Sequence, residues 1–282
     1  MDNMKYSKEW GQFIPPKSPI NEAIEHYHDL IPEREQDCAS PSTLTMCPRV
    51  VWLKKQGVPI TNELGWGQKQ RFMLGRITEN TIASQLRDEG ILLYHWKDDF
   101  KGESIKFKHG EGVNKLSGTP DLLLQFKSGI VAVSDAKTSR SDSFKYVPIE
   151  SAEIWQDPYW YRYKLQVTAY YMLCKWCKHW FYLMDLPLPD ICNLFSYALD
   201  NGVVMRDINW APTKEDIREV IRLTKRWNEA YAAEFMPDCT CVEDSTVMFC
   251  PYGIKEGKTC KECCSSELEK EVNDELEPSE QS

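Results

Sequence analysis

The sequence predicts an α/β protein in which helical and extended segments alternate along the chain. Three observations carry that expectation. Gln68 to Glu89 spaces Phe72, Ile77, Ile82 and Leu86, with Leu74 beside them, as approximately one helical stripe that Gly90 brings to a stop. From Ile91 to Thr138 the pattern shifts to short β-rich runs: Ile91 to Trp96, Ile105 to Lys108, Asp121 to Phe126 and Ile130 to Lys137. The aromatic segment Tyr161 to Trp180 is helical again, before strands at Phe181 to Leu186, Leu194 to Leu199 and Val203 to Ile208 and a charged helix from Thr213 to Phe235.

The remaining elements follow in order. Residues 1–39 are polar and Pro-containing, with one short helical candidate at Asn21 to Leu30, and are expected to be an N-terminal extension. Residues 40–264 form one domain, opening on a capped short helix from Ser40 to Leu53 that carries Cys47. Thr213 is placed as the N-cap of the last helix, with Asp216 at the capping-box position. A Cys-rich stretch, 239–264, is expected to join Cys47 in a cap. In residues 265–282 seven acidic side chains stand against Lys270, and this tail has too little apolar surface to order itself.

Bulk properties narrow the class. A chain of 282 residues can bury a full core, and 42% hydrophobic with 27% charged residues is ordinary for a globular enzyme and excludes a wholly disordered chain. Met1 to Phe13 mixes Asp, Lys, Glu and Trp, unlike a secretory signal. No apolar run approaches the roughly 20 residues of a membrane helix. The expectation is a soluble intracellular protein of cytoplasm or nucleoid, a virus-infected cell included, with no membrane partner. Eleven cysteines in such a chain point to metal or cluster ligation rather than disulfides, with buried thiols as the alternative. The net charge of −9 is unfavourable for a phosphate-binding surface, but the tail supplies −6 of it, leaving about −3 elsewhere.

The densest chemistry lies in Gly118-Thr-Pro-Asp121, followed after a Lys127-Ser-Gly129 turn by Ile130-Val-Ala-Val-Ser-Asp135-Ala-Lys137. Two strands joined so tightly should be antiparallel neighbours. Alternation then sets Val131, Val133, Asp135 and Lys137 on one face and Ala136 on the other. With Asp121 across from that end, two carboxylates converge beside an amine. Such carboxylates repel unless a proton or cation sits between them, and hard oxygen ligands suit Mg²⁺ or Mn²⁺. Lys137 could orient or deprotonate an attacking water, or offset charge on a phosphate. Against this, Asp-Ala-Lys is a common tripeptide, and charges at strand ends are usually just solvated.

Pro120-Asp121, thirteen intervening residues and Asp135-Ala-Lys137 resemble the PD-(D/E)xK nuclease signature. Gly75-Arg-Ile-Thr78-Glu79 stands where RecB-like members carry a Gly, a His and a Glu, and Gln166-Val-Thr-Ala-Tyr170 matches the Gln-x-x-x-Tyr motif of that branch. The match spans residues from about 40 to 265 and points to the RecB-like and CRISPR-associated iron–sulfur nucleases. It implies a restriction-endonuclease-like core, a central mixed sheet flanked by helices. It also implies Glu79, Asp121, Asp135 and Ala136 as metal positions, Lys137 as the catalytic lysine, and Gln166 and Tyr170 lining the cleft. Thr78 replaces the histidine of many relatives. The implied activity is phosphodiester hydrolysis in DNA with Mg²⁺ or Mn²⁺, chiefly exonucleolytic on single strands or ends, in repair, recombination or phage- and CRISPR-type DNA processing. A recombination or replication protein would be a partner.

Relatives bind a 4Fe-4S cluster through one leading and three trailing cysteines, and here Cys47, Cys250 and Cys260 resemble those elements. Val247 occupies the usual place of another ligand, so Cys241 or Cys239 must replace it, and Cys241 is the nearer choice; Cys263 and Cys264 are possible substitutes. Zn²⁺ is the alternative occupant. Cys174, Cys177 and Cys192 read as packed or unligated thiols. The five histidines (His26, His28, His95, His109, His179) show no paired metal spacing on one helix. Trp155, Tyr159, Trp160, Tyr161 and Tyr163 interleave with Arg162 and Lys164, either as a stacking platform for single-stranded bases or as helix packing. Lys214, Arg218, Arg222 and Lys225 on the last helix read as a solvated face or a phosphate track. The rival functions are a non-hydrolytic DNA-binding or assembly subunit and a zinc-stabilised adaptor.

Overall fold

The β-rich runs assemble around one hairpin. In the computed structural model, which describes residues 36–60, 66–96, 106–139, 154–198, 203–238 and 240, strands β4 (Leu122–Gln125) and β5 (Val131–Ser139) pair antiparallel. Their turn closes with Phe126 N–H donating to Ile130 O at 2.9 Å and Gly129 N–H to Phe126 O at 2.8 Å. Gly129 has φ 86°, where a side chain would be strained. Strand β1 (Leu92–His95) adds antiparallel to β4. Strand β6 (Ile191–Ala198) runs parallel to β5, and β7 (Val203–Trp210) returns antiparallel to β6. The result is a five-stranded mixed sheet in the order β1-β4-β5-β6-β7.

Helices cover both faces. On one, Ile82 and Ala83 of α2 (Trp66–Asp88) bury against Leu92, Leu122, Leu124 and Phe195. On the other, α3 (Pro158–Trp176) sets Leu165, Val167 and Leu173 on Leu123, Val131, Val133 and Leu194. Many residues of α3 are aromatic or β-branched and favour helix only weakly. Each fully buried Leu or Val contributes about 1.5–3 kcal/mol, so packing rather than propensity holds this helix. Helix α5 (Lys214–Ala232) lies on α3 and on α1 (Pro48–Lys55). Its capping box is present, with Thr213 Oγ1 accepting from Asp216 N–H at 3.1 Å and Asp216 Oδ2 from Thr213 N–H at 3.0 Å.

Several elements differ from the sequence reading. Phe181 to Leu186 is not a strand. After Cys177 the chain forms the short helix α4 (Lys178–Leu183), whose one buried side chain, Phe181, stacks on Phe107 at 5.7 Å. A short apolar run cannot distinguish helix from strand. The expected strand at Ile105 to Lys108 is described as β2 (Phe107–His109), paired with β3 (Leu116–Gly118) in a separate two-stranded sheet. The Leu-Ser-Gly of β3 carries no period to betray it. Pro48 delays the first helix, leaving a single 3₁₀ turn at Pro41–Thr43 before α1, and Cys47 becomes the N-cap.

The first half of the α2 stripe does not bury. Leu74 and Ile77 are 46% and 56% exposed. Here the helix approaches the sheet through Gly75, whose absent Cβ would lie 3.0 Å from Thr138 Oγ1. Ala39, at the end of the expected extension, is already buried, and its N–H donates to Asn228 Oδ1 at 2.9 Å. The expected helix at Asn21 to Leu30, the cysteines from Cys239 onward and the acidic tail lie outside the described residues. Among the described residues no helix is long and apolar enough to cross a membrane.

Candidate active site

The hairpin register builds the centre. Leu122 pairs with Ser134, so one further step places Asp121 across from Asp135, and Trp96 N–H donating to Asp121 O at 3.3 Å secures the approach. Asp135 and Lys137 share the α3 face of β5, as alternation requires. Both carboxyls are buried, Asp121 at 8% and Asp135 at 1% exposure, and the charge of Asp121 bears on Asp135. Asp135 Oδ1 accepts from Gln166 Nε2 at 3.2 Å, and Oδ2 meets Lys137 Nζ at 2.6 Å in an ion pair without accepting an aligned hydrogen bond.

The electrostatics follow from this crowding. Burial pushes the Asp135 carboxyl up to about 8, with neighbouring Asp121 adding to the rise and Lys137 opposing it. Burial works against the charge of Lys137, but Asp135 and Asp121 outweigh it and the ammonium is held above its ordinary range. Its side chain keeps 25% exposure, so the cation meets both the carboxylates and solvent. Lys137 is therefore a charged donor in this arrangement rather than a neutral base.

Glu79, Gln166 and Tyr170 join the same margin. Tyr170 lies one turn beyond Gln166 on α3, with its phenol raised well above the usual range by burial and then by Asp121, Asp135 and Glu79. It stays protonated and can only donate to an anion. Gly118 makes room for it, since a Cβ there would lie 3.2 Å from Tyr170 Cε1 and 2.6 Å from Pro41 Cδ. Glu79 is 7% exposed on α2, and its Oε1 lies 3.3 Å from Nε2 of fully buried His95 on β1. His95 was missed by sequence reading. It has no helical histidine partner, and only the fold carries it to Glu79. Thr78 contributes no imidazole, but His95 holds the adjacent carboxylate instead.

Other predicted residues sort differently. The Ala136 side chain packs on the opposite face with Leu122 and Phe195, leaving only its main chain at the site. Among the described residues no group of three or more His, Cys, Asp or Glu is gathered as a metal ion would require. The chemistry of the Asp121–Asp135 pair nonetheless fits a hard divalent cation, because a cation between them would relieve the repulsion that now retains a proton. Cys47 is remote, buried with Val50, Trp52 and Leu53 beside Ala233 and Met236. There Arg49 Nε donates to Pro237 O at 2.9 Å, so the first helix meets the chain just before the Cys-rich stretch. Cys241, Cys250 and Cys260 lie outside the described residues. Cys174, Cys177 and Cys192 are buried free thiols. On α5, Arg218 and Arg222 pair with Glu215 and Glu219 one turn back, which accounts for those two as a solvated face.

No protein-family model matches the chain, and no curated protein matches it. A likeness exists to the solved structure titled SSO0001, at 18% identity over 74% of this chain and 82% of that one. Its TM-score of 0.39 carries no argument about fold family or activity. The chain is thus an α/β protein whose mixed five-stranded sheet is flanked by helices and brings Glu79, His95, Asp121, Asp135, Lys137, Gln166 and Tyr170 to one margin.

Proposed function

We propose that this protein is a divalent-metal-dependent deoxyribonuclease with a PD-(D/E)xK site on a restriction-endonuclease-like core, acting on single strands or DNA ends. One observation carries the reading. Two carboxyls from adjacent strands, Asp121 and Asp135, are buried against each other with Lys137 beside them, at a cost that only a bound cation or proton offsets. A fold gains nothing from such crowding, and perturbed carboxylates of this kind concentrate at catalytic centres.

Each residue then has a task. Asp121 and Asp135 would hold Mg²⁺ or Mn²⁺, with Glu79 and the Ala136 main chain beside them, and the ion would supply Lewis acidity toward the phosphoryl oxygen. Gln166 fixes the rotamer of Asp135. Lys137 would donate to the phosphate or orient the water whose oxygen attacks phosphorus; that water gives up a proton to solvent, the P–O bond to the leaving sugar breaks, and the leaving oxygen takes up a proton from solvent. Tyr170 stays a neutral donor behind the carboxylates. His95 orients Glu79.

The test is cleavage of end-labelled linear and circular DNA with Mn²⁺ by the wild type, Asp135→Ala and Lys137→Ala. Loss in both variants on linear DNA alone supports an exonuclease; cleavage of circles also makes it an endonuclease with the same centre. A second reading, a DNA-binding subunit that does not hydrolyse, is favoured by the missing three-ligand group among the described residues. Folded wild type that binds but never cuts would establish it. For the cap we propose a 4Fe-4S cluster on Cys47, Cys241, Cys250 and Cys260, supported by the burial of Cys47 next to the end of α5. Anaerobic protein should be brown and Cys47→Ser pale; colourless protein containing zinc would replace iron–sulfur by Zn²⁺.

A further inference from the structure

Helix α3 carries a second set of side chains that the hydrolytic centre does not use. Tyr159, Tyr163, Gln166 and Tyr170 recur at helical spacing along one stripe. The inner end of the stripe holds the carboxylates. Its outer end is Tyr159, 36% exposed, about 10 Å from Gln166 along the axis and so about three stacked nucleotides away at ~3.4 Å each. We infer that Tyr159, Arg162 and Tyr163 form a cradle for an unpaired DNA strand leading into the Asp121–Asp135 site. This rests on the nuclease reading and names the form of substrate that the site takes.

The contacts form an unbroken series. The Arg162 guanidinium lies 4.5 Å from the Tyr159 ring centre and 4.7 Å from that of Tyr163. Its Nη2 donates to Tyr163 Oη at 2.8 Å, and Tyr163 Oη donates to Tyr159 Oη at 3.2 Å. Lys137 Nζ stands 4.8 Å from the same Tyr163 ring, linking the series to the carboxylate pair. Two cations thus flank one ring on the path to the site. Among the described residues Arg162 meets tyrosines and no carboxylate, so its charge is available to a phosphate.

Trp155 and Tyr161 are engaged elsewhere, whereas Tyr159 and Tyr163 meet each other edge-on at 5.2 Å and the buried Trp160 at 5.7 and 6.1 Å. Trp155 stacks edge-on with Trp210 at 5.0 Å, and Trp155 and Tyr161 lie 5.6 and 6.0 Å from Lys164, which is engaged with Asp216 of α5 at 2.6 Å. Trp160 is 4% exposed. Packing therefore explains one side of α3, while the Tyr159–Arg162–Tyr163 side turns to the site. Tyrosine rings need an open base face to stack on, and an Arg between them needs a phosphate. A single strand offers both at once. A duplex hides its base faces and offers Arg162 alone a contact.

The experiment is fluorescence anisotropy with chelator present, so that nothing is cut, using a labelled single-stranded oligothymidylate of about 20 nucleotides and a blunt duplex of equal length. Tyr159→Ala and Arg162→Ala should each weaken single-strand binding about 5- to 100-fold and duplex binding under about 2-fold. With Mn²⁺, KM on the single strand should rise while kcat holds. Tyr159→Leu, which keeps apolar bulk without a π face, should behave as Tyr159→Ala, and Tyr159→Trp should retain the wild-type affinity. Equal losses on both probes, or no loss, would overturn the cradle while leaving the nuclease intact. Wild type that neither binds nor cuts either DNA would overturn both.

Discussion

Replacing Asp135 by Asn tests the electrostatics on which the site depends, because the side chain keeps its shape and can still accept from Gln166 while losing its charge. In the metal-free protein, burial and Asp121 raise this carboxyl from 3.8 to about 8. A folded-state value above the unfolded one means that the fold binds the proton more tightly. The group therefore costs nothing below pH 4, and stability falls as pH climbs from about 4 to about 8. At 1.36 kcal/mol for each decade the whole interval bounds the cost at about 6 kcal/mol. The two carboxyls titrate as a pair, which spreads that cost over both and leaves about 1–3 kcal/mol as the expected share of Asp135. With chelator at pH 8.5, Asp135→Asn should be more stable than wild type by that amount, or about 2–4 °C in Tm for each kcal/mol. Thermal melts from pH 4 to 9 read it directly, the gap closing toward acid. Mn²⁺ should raise the Tm of the wild type by about 2.7 kcal/mol equivalent at 100 times its Kd, and that of the variant much less. A variant less stable than wild type at pH 8.5, with parallel pH profiles, would refute the reasoning. Asp135 would then be an ordinary ionised partner of Lys137.

Three further outcomes are expected. Lys137→Ala should lower single-turnover cleavage about 10²- to 10⁴-fold, and should also lower the melting temperature of the metal-free protein at alkaline pH, because it removes the cation that offsets the buried Asp135 carboxylate. Gly118→Ala should cost about 1–3 kcal/mol in denaturant melts and reduce turnover, because its Cβ would press on Pro41 Cδ at 2.6 Å and on Tyr170. Asp216→Ala should cost about 3 kcal/mol at pH 7, through the lost Lys164 pair and the lost cap. Burial pushes Asp216 up, but Lys164 and the Thr213 N–H outweigh it and hold the carboxyl low, so its contribution is present above about pH 4 and lost as pH falls further.

Much of the site was legible because its central part is local. Asp121 and Asp135 lie on one hairpin, and a tight turn with period-2 alternation places them opposite each other with Lys137 on the same face, whatever the rest of the chain does. The capping box at Thr213 and Asp216 is equally short-ranged. Glu79, Gln166 and Tyr170 were reachable only through family resemblance, since nothing in their own segments says that two helices on opposite faces of the sheet meet at one margin.

Packing alone settled the remainder. His95 reaches Glu79 because β1 pairs with β4 beneath α2. The run from Phe181 is helical because Phe181 has an aromatic pocket to fill, and Leu74 and Ile77 stay exposed because Gly75 makes the close approach. The aromatic segment before Gln166 divided into an inward half held by Asp216 and Trp210 and an outward half leading to the carboxylates. Composition could not separate these halves. Periodicity reports which residues share a face, but the neighbour that a face meets depends on contacts between residues far apart in the chain.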